Sequence, residues 1–274
     1  MSAAQRERRP RPGASVATAR PRRSPALGGA TGRNLHEKIA NRIGERIIAG
    51  LYPPRRALPT EVELCASLAV SRSALREAFR LLAAKGLIVS RQKVGTLVRP
   101  RGEWNMLDPE VLSWHLRVAP TDEFVAGLFE VRKIVEPSAA ALAAERRTQA
   151  MAERIGAALE DMVRFQDGSG DLIDADRRFH LAILEASGNY FLASFGAVIE
   201  SSLISSFRLS WDGGHHTPEY SLRQHRGVYE AIRDRRPDEA YAVMTQLLRS
   251  AIEDVRESLI QRQRRQAEAA GKTG

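Results

Sequence analysis

The sequence predicts a mainly α-helical protein: a small N-terminal unit with one short hairpin, followed by a larger all-α bundle. Three observations predict it. Apolar residues recur at three- and four-residue spacing through most of residues 34–262. Strand-like alternation is convincing only at Val89 and Thr96-Leu97-Val98, within residues 86–100. Ser, Thr, Pro and Gly stand where helix starts and stops need them. The 274 residues suffice for two modest domains.

Composition narrows the class further. No apolar run approaches the roughly 18 residues of a spanning helix, and the start of the chain lacks the apolar stretch of a secretory signal. The one cysteine, Cys65, excludes an internal disulfide framework and suits a reducing compartment. A cytoplasmic protein with no membrane partner is expected. The net charge is +9. Residues 1–33 hold eight arginines against Glu7 and so supply +7 of it. That Arg/Pro-rich tail has almost no large apolar residues and is expected to be disordered. It would add non-specific attraction to nucleic-acid phosphates; a plain solvated extension and a transit peptide are the other readings.

From residue 34 the elements follow in order. Leu35, Ile39, Ile43 and Ile47 at steps of four mark an amphipathic helix stopped by Gly50. Pro53, Pro54 and Pro59 mark a turn region, and Thr60 with Glu63 makes a capping box that opens a second helix. Val62, Leu64 or Cys65, and Leu68 are its expected buried side. Ser71 caps a third helix, which buries Leu75, Phe79 and Leu82 and ends at Gly86. Two short helices joined by a tight turn form a helix-turn-helix. Val89 and Thr96-Leu97-Val98 alternate as two strands around the basic tip "RQKVG", which makes a wing.

Residues 34–100 therefore predict a winged helix-turn-helix that binds double-stranded DNA. A recognition helix reads bases with its N-terminal residues. Ser71, Arg72, Ser73 and Arg76 lie at or near that start, while Lys93 and Gly95 form the wing tip. The competing reading is that these arginines are merely solvated.

The stretch "RRALPTEVELCASLAVSRSALREAFRLLAAKGLIVSRQKVGTLV" resembles the winged-helix signature of the GntR family of bacterial transcription regulators. The resemblance implies that the positions of Arg72, Ser73 and Arg76, with the wing glycine Gly95, approach DNA. Many relatives carry arginine where this chain has Val62. Arg55 or Arg56 would then supply the missing contact.

Residues 101–114 read as a linker and 115–262 as helices, with a disordered end over 263–274. "TDEFVAGLFEVRKIVEPSAAALAAERRT" opens on a Thr cap, with Phe124, Leu128, Val131, Val135 and Leu142 apolar. "QAMAERIGAALEDMVRFQ", "LIDADRRFHLAILEASGN" and "YFLASFGAVIESSLISSFRLSW" follow as single helices. "WDGGHHTPEY" reads as a loop, before two last helices, the second with Pro237 in its first turn. Asp176 and His180, at i and i+4, project side by side. His225 leans toward the buried side of its own helix, marked by Val228 and Tyr229. One carboxylate and two imidazoles from two helices suit a divalent ion. They are equally the material of two satisfied core histidines beside a surface aspartate.

"DADRRFHLAILEASGN" resembles the signature of the FCD ligand-binding domain of the FadR branch of the GntR family. "VRKIVEPSAAALAAERRT" and "QHRGVYEAIRDRRPDEA" resemble two further segments of that domain. Many members hold a divalent metal through one Asp and three His, and Asp176, His180 and His225 match three of those positions. The resemblance implies a zinc, nickel or manganese type of ion. The helix expected to carry the remaining histidine has none, and His215 and His216 do not match it.

"EWNMLDPEVLSWHL" and "RLSWDGGHHTPEYSLRQHRGVYEAI" look most like sugar-acid regulators of the galactonate-operon repressor type. Arg132 matches a family arginine near the pocket and would pair with an effector carboxylate; an exposed salt bridge is its other reading. Ser202 and Ser205, in a run with Ser201 and Ser206, would line the pocket or merely permit close packing. The implied protein is a homodimeric repressor on a pseudo-palindromic operator, released by a hexonate-type sugar acid. The alternative is a metal-dependent hydrolase or lyase fused to a DNA-binding module.

Overall fold

The computed structural model describes residues 29–118, 121–210 and 218–271. The N-terminal unit is built from α1 (Gly29–Ile48), α2 (Glu61–Leu68), α3 (Arg72–Ala84) and a two-stranded antiparallel hairpin, β1 (Ile88–Arg91) and β2 (Gly95–Val98). Thr60 caps α2: its hydroxyl accepts from Glu63 N, while the Glu63 carboxylate accepts from Thr60 N. Such a cap is worth about 1 kcal/mol. Ser71 caps α3 by accepting from Ala74 N. The turn between the two helices passes through Ala69 at φ 55°. That left-handed conformation costs a residue with a Cβ roughly 1–2 kcal/mol.

Ile39, Ile43, Ile47, Leu64, Leu75 and Leu82 form the core of this unit. Leu35 and Val62 do not join it. Both are exposed, Val62 at 61%; the eight-residue α2 turns only Leu64 fully inward, with Cys65 and Leu68 partly covered. The hairpin gains a third edge that the periodicity had not suggested. Arg55 N donates to Val98 O, Val98 N to Arg56 O and Leu58 N to Thr96 O, so residues 55–58 run along β2.

The span read as a linker is structured. A 3-10 turn covers Arg101–Glu103, and α4 (Pro109–Arg117) follows, capped by Asp108 with Pro109 at its first position. Burial of two tryptophans is the physical reason. Trp104 and Trp114 lie in the N-terminal core. The Trp114 indole donates to Asn41 Oδ1 at 2.8 Å and lies against Gly44, where a Cβ would come within 2.6 Å of the ring. Lys85 binds Asp108 and Glu110, and Arg117 binds Glu45. The helix α4 is thus the fourth wall of the DNA-binding unit.

The bundle comprises α5 (Asp122–Arg146), α6 (Gln149–Arg164), α7 (Leu172–Ala186), the short α8 (Tyr190–Ala193), α9 (Gly196–Ser210), α10 (Pro218–Arg233) and α11 (Pro237–Gly271). The central helix is α5, against which α7, α9, α10 and α11 all pack. Its Ala139, Ala140, Ala143 and Ala144 are buried and small, which lets neighbouring helices approach closely. The segment read as one helix over 190–211 is broken in two, and at the break a Cβ on Gly196 would come within 3.1 Å of Leu181 of α7. His115 of α4 stacks on Phe124 of α5, ring centroids 4.5 Å apart. Burial, with help from the Arg101 charge, lowers its pKa to about 4, so this imidazole is neutral near pH 7.

Part of each end expected to be disordered is helical. Gly29–Arg33 belong to α1, because glycine weakens a helix without forbidding it. Residues 263–271 continue α11, since neither Gly nor Pro interrupts the run before Gly271. Residues 1–28 of the tail, and His215 and His216 of the loop, lie outside the described residues. Pro218, Glu219 and Tyr220, read as loop, begin α10.

Candidate metal and effector centre

The bundle interior holds a polar cluster on four helices. Asp176 and His180 come from successive turns of α7, His225 from α10, and Arg132 and Glu136 from successive turns of α5. All five are nearly inaccessible, Asp176 the least so at 6%. Ser202 of α9 is fully buried beside them, 3.5 Å from Arg132 Nη1. A cavity of ≈ 140 Å³ opens on the cluster, lined by Arg132, Asp176, His180 and His225, with Tyr220, Gln224 and Ser250 further out.

The imidazoles are arranged alike. His225 Nδ1 lies 2.8 Å from Ser221 O, so it carries the proton and donates it there. Its Nε2 faces Asp176 Oδ1 at 3.0 Å with only a lone pair to offer. His180 Nδ1 lies 2.5 Å from Glu136 Oε2, close but out of line for a hydrogen bond, and its Nε2 is 3.5 Å from the same Asp176 Oδ1. The three donor atoms lie within 4.8 Å of one another. Ligands held at 2.0–2.2 Å from one ion sit roughly 3.0–3.5 Å apart. Asp176 Oδ1 and His225 Nε2 are buried without a hydrogen-bond partner. Lone pairs directed at each other inside a protein are costly unless something positive lies between them. The donor set therefore fits a divalent cation, and no fourth His, Cys, Asp or Glu joins the cluster among the described residues.

Charge in the cluster is coupled. Burial pushes the Asp176 carboxyl up, but the close approach of the His180 and His225 imidazoles overcomes it and holds the group well below the usual carboxylate range. Burial lowers His180, but the Glu136 and Asp176 carboxylates outweigh it and raise the imidazole to about 9 without a metal. Arg132 is not the exposed salt bridge that its sequence position allowed. It is 1% exposed, pairs with Glu136 and lies over the Phe129 ring. Ser202 touches Arg132 and Ser205 donates to Ser201 O at 2.8 Å, but contrary to expectation neither serine lines the cavity. The sequence reading missed Glu136. Its i+4 spacing from Arg132 was visible, but the partner on α7 was not.

On the N-terminal unit, Arg72, Ser73 and Arg76 are exposed along the start of α3, and Ser71 is engaged as its cap. Arg76 is tied to Glu61 of α2 at 3.2 Å, an exposed pair that yields readily to a phosphate. At the wing tip Lys93 (φ 62°) and Gly95 (φ 94°) take left-handed conformations, and both are exposed. Arg55, also exposed and left-handed at φ 65°, is fixed to β2 through its backbone N–H, which places it at the base of the wing.

A winged helix-turn-helix joined to a helical bundle with a buried polar cavity is the architecture of a ligand-responsive transcription regulator. The chain belongs to the GntR family: residues 35–98 match the bacterial regulatory proteins of the gntR family, and residues 127–250 match the FCD domain. It is 34% identical over 224 residues to the galactonate operon transcriptional repressor of Escherichia coli K12, covering 82% of this chain and 98% of that one. It is also 30% identical to the Glc operon transcriptional activator of the same strain, over 75% of this chain and 82% of the relative. A solved structure of the Listeria monocytogenes regulator Lar shares the fold, at TM-score 0.56 and 21% identity, covering 81% of this chain and 97% of that chain. The protein is a transcription regulator of the FadR type, and the hydrolase or lyase alternative falls with that assignment. No helix among the described residues is long and apolar enough to cross a membrane.

Proposed function

We propose that this protein is a cytoplasmic, homodimeric repressor of a carbohydrate-acid catabolic operon, released from a pseudo-palindromic operator by a hexonate-type acid. The single observation that carries the effector reading is the convergence of two imidazole nitrogens, His180 Nε2 and His225 Nε2, on Asp176 Oδ1 beside a buried arginine. Asp176, His180 and His225 would hold a divalent ion of zinc, nickel or manganese type, which supplies a Lewis-acidic anchor for a carboxylate and its neighbouring hydroxyl. With three protein ligands, coordination positions remain for the effector. Arg132 orients the carboxylate, and Ser202 steadies the guanidinium. The likeness to the galactonate operon repressor supports the choice of a six-carbon acid.

Release follows from differential affinity of the effector for two arrangements of the same chain. The helix α9 carries Ser202 near the site and, one turn earlier, Val198, which packs with Leu112 of α4 and Leu128 of α5. Through Trp114, Lys85 and Arg117, α4 is fastened to the winged helix. A shift of α9 is thereby passed to the DNA-binding unit.

The test is titration of an operator fragment with the protein, with and without D-galactonate and other aldonates, before and after treatment with a chelator. Release by at least one aldonate, abolished by the chelator and restored by added metal, is expected. Aldonates that never change operator affinity would overturn the effector reading.

Base and phosphate contacts are separable on the N-terminal unit. Arg72→Ala is expected to cost about 1–3 kcal/mol on the operator and little on random DNA. Lys93→Ala is expected to weaken both equally and lower the salt slope of binding by about 1. Fluorescence anisotropy across a salt series measures both.

A further inference from the structure

The geometry points to Glu136 as the residue that sets the donor face of His180, and through Arg132 makes cation and carboxylate binding strengthen each other. This inference rests on the cation reading above. Glu136 is 1% exposed in the middle of α5, and the residues lining the cavity do not include it. A carboxylate there is costly to bury. Its two oxygens serve different groups: Oε1 takes the Arg132 guanidinium, and Oε2 faces His180 Nδ1.

The Glu136 charge 2.5 Å from Nδ1 favours the neutral tautomer that carries its proton on that side, which leaves the Nε2 lone pair toward Asp176. Ser221 O does the same for His225. Carboxylates that orient a ligating histidine in this way also raise its basicity. Glu136 is therefore a positioning residue for His180.

Arg132 makes the connection run in both directions. Its Nε is bound to Glu136, while the guanidinium also borders the cavity and reaches Ser202. A ligand carboxylate on Arg132 draws part of the positive charge away from Glu136. The Glu136 carboxylate then polarises His180 more strongly, and the cation is held more tightly. Thermodynamic reciprocity requires the cation to tighten the carboxylate by the same factor. Charge supports this pairing. With neutral imidazoles, Asp176, Glu136 and Arg132 leave the buried cluster one unit negative. A divalent ion leaves it one unit positive, and one carboxylate restores neutrality. Asp254, a further acid lining the cavity, is half-exposed and has a partner of its own.

The experiment measures zinc dissociation constants by chelator competition for the full-length wild type, Glu136→Gln, Arg132→Gln and the double variant, with and without D-galactonate. Thermal melts establish folding of each metal-free protein. Glu136→Gln is expected to weaken zinc about 10–100-fold, Arg132→Gln not to weaken it, and the double variant to match Glu136→Gln. The double variant decides if Glu136→Gln alone fails to fold around an unpaired arginine. Long-range 1H–15N correlation on the metal-free proteins above pH 9, where the imidazole is neutral, is expected to show His180 protonated at Nδ1 in wild type and as a mixture in Glu136→Gln. D-galactonate is expected to tighten zinc by a larger factor in wild type than in any of the three variants. Wild type that binds no zinc overturns the cation reading and this inference together. Wild type that binds zinc, with Glu136→Gln binding equally well, overturns this inference alone, as does Arg132→Gln losing as much affinity as Glu136→Gln.

Discussion

His180→Ala is expected to give a repressor that still binds its operator and can no longer be released from it. The imidazole is one of three converging donor groups proposed to hold the ion, fully buried, with Glu136 on one side and Asp176 on the other. Structural zinc sites contribute roughly 10–16 kcal/mol in all, so losing one ligand of a small set lowers affinity on the order of 100-fold or more. The truncation also leaves a cavity and two carboxylates without their shared partner, so the bundle melts earlier, by about 2–4 kcal/mol in stability. The winged helix has its own core and keeps its DNA affinity. Zinc competition and anisotropy on the operator, each with and without D-galactonate, read the two halves of this expectation. Normal release by the effector in the His180→Ala protein would refute the site assignment.

Trp114→Ala is expected to act at the opposite end, on DNA binding with the sensor left intact. The indole is fully buried among α1 residues, hydrogen-bonded to Asn41 and fitted against Gly44. Removing so large a side chain costs about 3–5 kcal/mol, comparable to a large part of the stability of a small domain. Operator binding is expected to fall steeply while zinc affinity stays within a few-fold of wild type. Denaturation followed by near-ultraviolet circular dichroism, with the same zinc competition, distinguishes this from general unfolding. Gly44→Ala is a milder version of the same lesion, because its methyl would meet the ring at 2.6 Å.

The sequence carried the small unit well because its signals are local. Thr60 with Glu63, Ser71 and Gly86 are caps and stops read within a few residues of themselves. Spacing placed Asp176 beside His180 for the same reason and turned His225 toward the buried side of its own helix, and resemblance to a family favoured joining the three. What spacing could not supply was the relation between helices distant in sequence. Glu136 lies 44 residues before His180, and nothing near it marks it as the neighbour of an imidazole. Arg132 was open to two readings because its helix is apolar on several sides, and only packing against α9 decided that it points inward. The helix α4 was within reach, since Asp108-Pro109 is a start signal. The polar residues around it masked the inward-facing Trp114.

The attachment of α4 to the winged helix has a mechanical consequence. The DNA-reading unit ends after Val118 rather than at the wing, so a tilt of α4 carries the whole unit with it, about a joint set beyond the wing. For a given angular tilt at the joint, a longer arm carries the recognition helix through a longer arc. In the proposed homodimer, two half-sites are read together only while their readers stay about 34 Å apart. A few degrees of tilt, delivered where Leu112 meets Val198, is thus magnified at the DNA, and the bundle needs little internal movement to put both readers out of step with the groove.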